Sequence, residues 1–267
     1  MGASRPLTNG HRKTLMDRTG PRRTRFKPSH AIMLAAGLGK RMRPITSTMP
    51  KPLVEVRGKA LIDYGLDALA RNGVASVVVN VHYLADLMKA HLRKRKDMEI
   101  LVSDERDQLL DSGGGVVKAL PLLGKEPFYL LNADTFWIDG YRDNLDLMAD
   151  LWKPEAMDML LLIADMRQAT GYEGCGDFVM DVEGRLSRVG ERDMSPFIYA
   201  GALIVKPELF EGMKAEPFSL NRLFDASIEA GRLFGVRLDG LWLTVGTPGA
   251  IGEAEAAFKA SASASAA

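Results

Sequence analysis

The chain has 267 residues, 46% of them apolar and 26% charged, which is enough to bury a sizeable core and too apolar for wholesale disorder. One cysteine, Cys175, excludes an internal disulfide, and four scattered histidines (His11, His30, His82, His91) have no zinc-binding spacing. The longest run free of Asp, Glu, Lys and Arg, the 14 residues 72–85, falls short of a membrane span. The formal net charge of +1 divides into +7 over residues 1–30 and −6 over residues 31–267, so the body is no nucleic-acid surface. A reducing cytoplasm fits the cysteine usage.

Residues 1–30 hold eight Lys/Arg against Asp17 alone, with Pro6, Pro21, Pro28, Gly10 and Gly20 and no apolar period. They read as a disordered basic arm, and the missing apolar face argues against a transit peptide. From residue 31 short apolar runs alternate with longer amphipathic ones, the order that builds βαβ units on a mainly parallel sheet. Residues 31–36 read as the first strand. They lead into MLAAGLGKRMRPITSTMPKPLVEV over residues 33–56.

Gly37 and Gly39 stand where that strand leaves the sheet, so successive backbone N–H groups are free to face an anion. Arg41, Arg43 and Lys51 follow, a crowd of cations that only a polyanion would offset. Lys51 lies between Pro50 and Pro52, and a residue before proline is pushed toward extended geometry, so the ammonium is expected on a stiff stem. A dinucleotide fingerprint fails at Met42, where glycine is needed, and a P-loop fails at Arg41, where Ser or Thr is needed.

Further along, residues 60–72 have helical apolar spacing and stop at Gly73, and residues 76–81 form a valine-rich buried strand. A helix over 84–94 and a strand over 99–102 follow. Asp111, Ser112, Gly113, Gly114 and Gly115 then precede a helix over 116–123. Three glycines would let backbone approach a flat ring, and Ser112 would line the same site or cap the helix. Residues 128–131 form a strand running into Asn132, Ala133 and Asp134. Ligands of open α/β sheets collect at such strand ends, and a carboxylate beside a polyphosphate needs a cation between them, so Asp134 is expected to hold Mg²⁺.

Beyond a strand over 157–164 the elements shorten: strands over 178–182, 197–205 and 233–238, and helices over 220–230 and 250–260. This half supplies polar groups suited to a sugar: Asn132 at the strand end, then Asp177, Glu191, Tyr199 and Gly201. The expected organisation is one open-sheet domain over 31–258, α/β and Rossmann-like, with helices on both faces and an elaborated carboxyl-terminal half. An Ala/Ser-rich tail over 259–267 is expected to fray.

The segments LAAGLGKRMRP, PKPLVEV, LLDSGGGVVKALPLLG, LLNADTFW and WLTVGTP together resemble the sugar-1-phosphate nucleotidyltransferases over most of residues 31–258. The glycine triplet followed by Lys118 to Leu123 is most similar to the branch that makes UDP-N-acetylmuramate in peptidoglycan recycling. The resemblance implies Mg²⁺-dependent attack of a sugar 1-phosphate on the α-phosphorus of a nucleoside triphosphate, with pyrophosphate leaving. It implies nucleotide contacts from Ala35, Ala36 and Gly37, β- and γ-phosphate contacts from Gly39 and Arg41, and Lys51 on the α-phosphate and the sugar phosphate. It further implies Gly113, Gly114 and Gly115 at uracil and Asp134 on the metal. A second aspartate is usual in the late segment, where this chain has Thr244. Guanylyl transfer to mannose or heptose 1-phosphate, and a non-catalytic nucleotide sensor, remain open at this point, as does the oligomeric state.

Overall fold

A computed structural model describes residues 26–190 and 194–264; the expectations for residues 1–25, for Glu191 and for residues 265–267 lie outside the described residues. Among these, seven strands form one sheet in the order Leu233–Arg237, Met159–Asp165, Phe197–Val205, Phe128–Asn132, His30–Leu34, Ser76–Val81, Glu99–Asp104. Phe197–Val205 runs antiparallel to both neighbours, and the remaining pairs are parallel. The chain leaves His30–Leu34 toward one edge and returns to its other side at Phe128–Asn132. The strand order therefore reverses between these two, which opens a crevice past their carboxyl ends.

Alternation along the strands divides the core in two, because successive side chains of a strand point to opposite faces. Met33, Val77, Val79 and Leu131 face one layer, with Ile62, Leu66 and Leu69 of helix Leu61–Arg71, Met88 of Ala85–Leu92 and Leu145 of Asn144–Leu151. Ile32, Val78, Leu130 and Leu161 face the other, with Val116 and Ala119 of helix Asp111–Leu123 and Leu223 and Phe224 of Asn221–Glu229. A third cluster joins Met42, Val54, Phe136 and Leu243 to Ala254 of the last helix.

Several expected elements change form. The helix expected from residue 116 begins at Asp111, so the glycine triplet lies inside its first turns. Lys51 opens a 3₁₀ turn, Lys51–Leu53, because Leu53 N–H donates to Pro50 O and Val54 N–H to Lys51 O; those bonds outweigh the extended preference of a residue before proline. The strand expected over 178–182 shrinks to Val179–Met180. The last helix continues to Ala264, past the expected fraying point, as the high helix propensity of alanine allows. Helix Asn144–Leu151 and the antiparallel ribbon of Thr135–Asp139 with Gly240–Thr244 carry no expectation in the sequence reading.

Candidate active site

The crevice is framed by the loop after His30–Leu34 and the residues after Phe128–Asn132. Gly39 has φ +61°, and a Cβ there would lie 2.9 Å from the Lys51 Cβ, so only glycine lets the loop fold onto the Lys51 turn. Its carbonyl accepts the Thr46 hydroxyl at 2.8 Å. Gly37 is exposed and a Cβ there would meet nothing within 4 Å, leaving the approach from the crevice open.

Lys51 and Asp134 are 83 residues apart in sequence, yet the ammonium donates to Asp134 Oδ2 at 2.7 Å. The lysine side chain is 11% exposed and the carboxylate 39%, so the pair is shielded enough for its Coulomb attraction to hold the geometry. Three cavities meet at Asp134. One of about 500 Å³ includes Ala35, Ala36, Gly37, Lys51, Ser112 and Asn132 in its wall; one of about 210 Å³ includes Gly37, Gly39, Lys40, Arg41 and Gly246; and one of about 660 Å³ includes Arg41, Asn132, Tyr199 and Thr244. Arg43 is exposed and outside all three walls.

Gly113, Gly114 and Gly115 are not brought to these walls; Asp111 and Ser112 take that place. All three glycines are buried and their space is filled by protein. A Cβ would lie 2.2 Å from the Phe218 ring at Gly113, 2.1 Å from Glu216 O at Gly114, and 2.8 Å from Asn80 and Glu105 atoms at Gly115. The Gly113 N–H already donates to Phe218 O at 2.8 Å. Ser112 does not cap its helix; its hydroxyl accepts the Leu220 N–H at 2.9 Å and ties the far wall of the crevice to this one.

A buried chain of hydrogen bonds, absent from the sequence reading, holds this wall. The Ala35 N–H donates to Asn80 Oδ1 at 2.6 Å, Asn80 Nδ2 donates to Glu105 Oε1 at 2.7 Å, and the Leu110 N–H donates to Glu105 Oε2 at 3.1 Å. Four elements are thus pinned through one amide and one fully buried carboxylate. The signal was an asparagine following three valines in a fully buried strand, SVVVNV. Because Asn80 occupies the Ala35 N–H, that amide is not a phosphate donor.

On the opposite side, Asn132, Asp177 and Tyr199 line the largest cavity, and Gly201 does not. Gly201 sits in a register shift of Phe197–Val205 at φ +82°, where a Cβ would strike Thr135 Oγ1 at 2.1 Å. Its glycine serves close packing against the ribbon. Asp177 accepts the Tyr199 N–H at 2.8 Å, and burial pushes its carboxyl above the ordinary value. The Tyr199 hydroxyl is buried with no partner among the described residues, and burial together with the Asp134 charge raises its ionisation well above the phenol range.

Thr244 pairs in register with Thr135, and the Val245 N–H donates to Asp134 O at 3.2 Å, which places Thr244 beside Asp134. Among the described residues no group of three or more His, Cys, Asp or Glu is arranged to hold a metal. The donor set still fits Mg²⁺, which is usually held by one or two carboxylates with substrate phosphates completing the shell. Asp134, where the three cavities meet, would supply a carboxylate.

The family described as nucleotidyl transferase matches residues 30–261. The chain is 44% identical over 233 residues to the N-acetylmuramate alpha-1-phosphate uridylyltransferase of Caulobacter vibrioides, covering 86% of this chain and 96% of that protein. It is 28% identical over 228 residues to the mannose-1-phosphate guanyltransferase beta-B of Xenopus laevis, covering 82% of this chain and 61% of that protein. Its fold is similar to a UDP-glucose pyrophosphorylase crystallised with UDP-glucose, with a TM-score of 0.70 at 18% identity over 88% of this chain and 99% of that one. No described helix is long and apolar enough to cross a membrane.

Proposed function

The chain belongs to the nucleotidyl transferase family, and from that premise we propose that it transfers the uridylyl group of UTP to N-acetylmuramate 1-phosphate in the cytoplasm, with Mg²⁺, as a step of peptidoglycan recycling. An oxygen of the sugar phosphate attacks the α-phosphorus, the bond from that phosphorus to the bridging oxygen of the β-phosphate breaks, and pyrophosphate leaves with the electron pair. The phosphate dianion needs no general base, so the protein's task is positioning and charge balance.

The observation that carries this reading is the 2.7 Å Lys51–Asp134 pair at the meeting point of three cavities. Without substrate each group is the other's counter-ion. A bound triphosphate would draw Lys51 to the α-phosphate and the sugar phosphate, leaving Asp134 to hold Mg²⁺, which would supply charge neutralisation at the phosphates. Gly39 and Arg41 border the cavity suited to the β- and γ-phosphates, and Ala36, Gly37 and Ser112 border the one suited to the nucleoside. Asn132 and Tyr199 are left for the acceptor.

Uridylyl transfer is favoured over guanylyl transfer by 44% identity spanning 96% of the bacterial relative, against 28% spanning 61% of the other. Pyrophosphate release measured with four nucleoside triphosphates and a panel of sugar 1-phosphates tests it. UTP with N-acetylmuramate 1-phosphate should be the fastest pair, and Asp134→Asn should nearly abolish the reaction while the fold persists. Faster turnover of GTP with a neutral hexose phosphate would replace the reading, and tight UTP binding without pyrophosphate from any acceptor would make the protein a sensor.

A further inference from the structure

The acceptor proposed above carries two anions, its 1-phosphate and the carboxylate of its lactyl ether, and two guanidinium groups line the largest cavity. Arg41 stands on the glycine-loop side. It also borders the small phosphate-sized cavity, and a Cβ on Gly246 would lie 3.7 Å from its Nη1. Arg188 comes from the opposite part of the chain and is tied to helix Asn221–Glu229. Its Nε donates to Asp225 Oδ1 at 2.6 Å and its Nη2 to Asn221 Oδ1 at 2.8 Å.

The Arg188 guanidinium is also stacked, its central carbon 5.0 Å from the centroid of the buried Phe178 ring. Phe178 in turn meets Phe224 edge-on at 6.2 Å. The fork is therefore oriented on one edge by two acceptors and on one face by an aromatic ring. These bonds use two of the five N–H donors a guanidinium carries. Such a preset fork is suited to gripping a carboxylate, and the exposed side chain leaves its remaining donors accessible from the cavity. Asp177 on the same wall accepts the Tyr199 N–H and also feels the Arg188 charge, and Glu173 is exposed.

We propose that Arg188 is a specificity-determining residue that reads the acceptor's carboxylate, while Arg41 and Lys51 hold the phosphates. This rests on the reading of the acceptor as N-acetylmuramate 1-phosphate. A neutral hexose 1-phosphate would leave Arg188 without its ligand, so the residue selects for the acid.

The test compares N-acetylmuramate 1-phosphate with its carboxamide, which has the same shape without the charge, at saturating UTP. KM is measured for the acid and a competitive constant for the amide, in wild type, Arg188→Ala and Arg188→Lys. Wild type should prefer the acid. Arg188→Ala should raise KM for the acid on the order of 10- to 100-fold, the range of a charge-assisted hydrogen bond, with kcat and amide binding nearly unchanged. Arg188→Lys keeps the charge without the fork and should retain part of the preference. Equal weakening of acid and amide in both variants would make Arg188 a purely structural clamp and overturn the proposal, as would an unaltered preference in both. Wild type that ignores the acid and accepts a neutral sugar 1-phosphate would overturn the acceptor assignment itself, an outcome distinct from both.

Discussion

Two glycine-rich stretches, one in the crevice wall and one packed behind it, owe their glycines to opposite causes. At Gly37 an added Cβ would meet nothing, so the empty space belongs to whatever enters the crevice. At Gly113, Gly114 and Gly115 it would collide with Phe218, Glu216 and the Asn80–Glu105 pair. Glycine there makes room for protein, letting the segment around Phe218 lie against a helix and donate Leu220's N–H to Ser112. Close approach by a ligand and close approach by a neighbouring chain segment leave the same mark on a sequence.

The largest effect that sharpens this contrast is expected on the loop side. Lys51→Ala removes the ammonium that pairs with Asp134 while keeping the Cβ beside the Gly39 turn, and should lower kcat on the order of 10²–10³-fold while UTP binding falls much less, as a full kinetic analysis would show. Unchanged kcat would remove the loop's lysine from the chemistry. On the triplet side Gly114→Ala places a methyl 2.1 Å from a backbone oxygen that cannot swing away. It should cost roughly 1–3 kcal/mol in chemical denaturation, with the kinetics of the surviving folded protein nearly normal.

A smaller shift is expected at Thr244, the residue beside Asp134 in the cavity wall. Thr244→Asp adds a second carboxylate beside the first, so half-saturation by Mg²⁺ should fall several-fold in a metal titration without loss of turnover. No shift would mean that Thr244 does not look toward the metal. Gly37→Ala should change stability least, by no more than about 0.5 kcal/mol, and yet raise KM for UTP. A loss of stability there comparable to that of Gly114→Ala would erase the distinction between the two stretches.

Much of the molecule was legible because its signals are local. The strand Ser76–Val81 and the helix Leu61–Arg71 follow from apolar period and a terminal glycine, and Asp134 was found by its place after an apolar run. Lys51 and Asp134 were each picked from their own neighbourhoods, and the structure places them 2.7 Å apart. The ribbon of Thr135–Asp139 with Gly240–Thr244 escaped notice because its partners are more than a hundred residues apart and each half is only five residues long.

The sequence by itself marked most of the strands and helices of the main sheet, the backbone freedom and positive charge of the glycine loop, and the strand-end acid, since these depend on periodicity, backbone freedom and charge within a few residues. Only the tertiary structure decided that Gly113 to Gly115 face protein, that Gly201 packs against Thr135, that Glu105 is wired through Asn80 to Ala35, and that Arg188 lines the same cavity as Arg41 and Tyr199. What stands across a cleft is set by how the sheet orders its strands and by which distant side chains fill the space between layers. Short-range propensity carries no record of either.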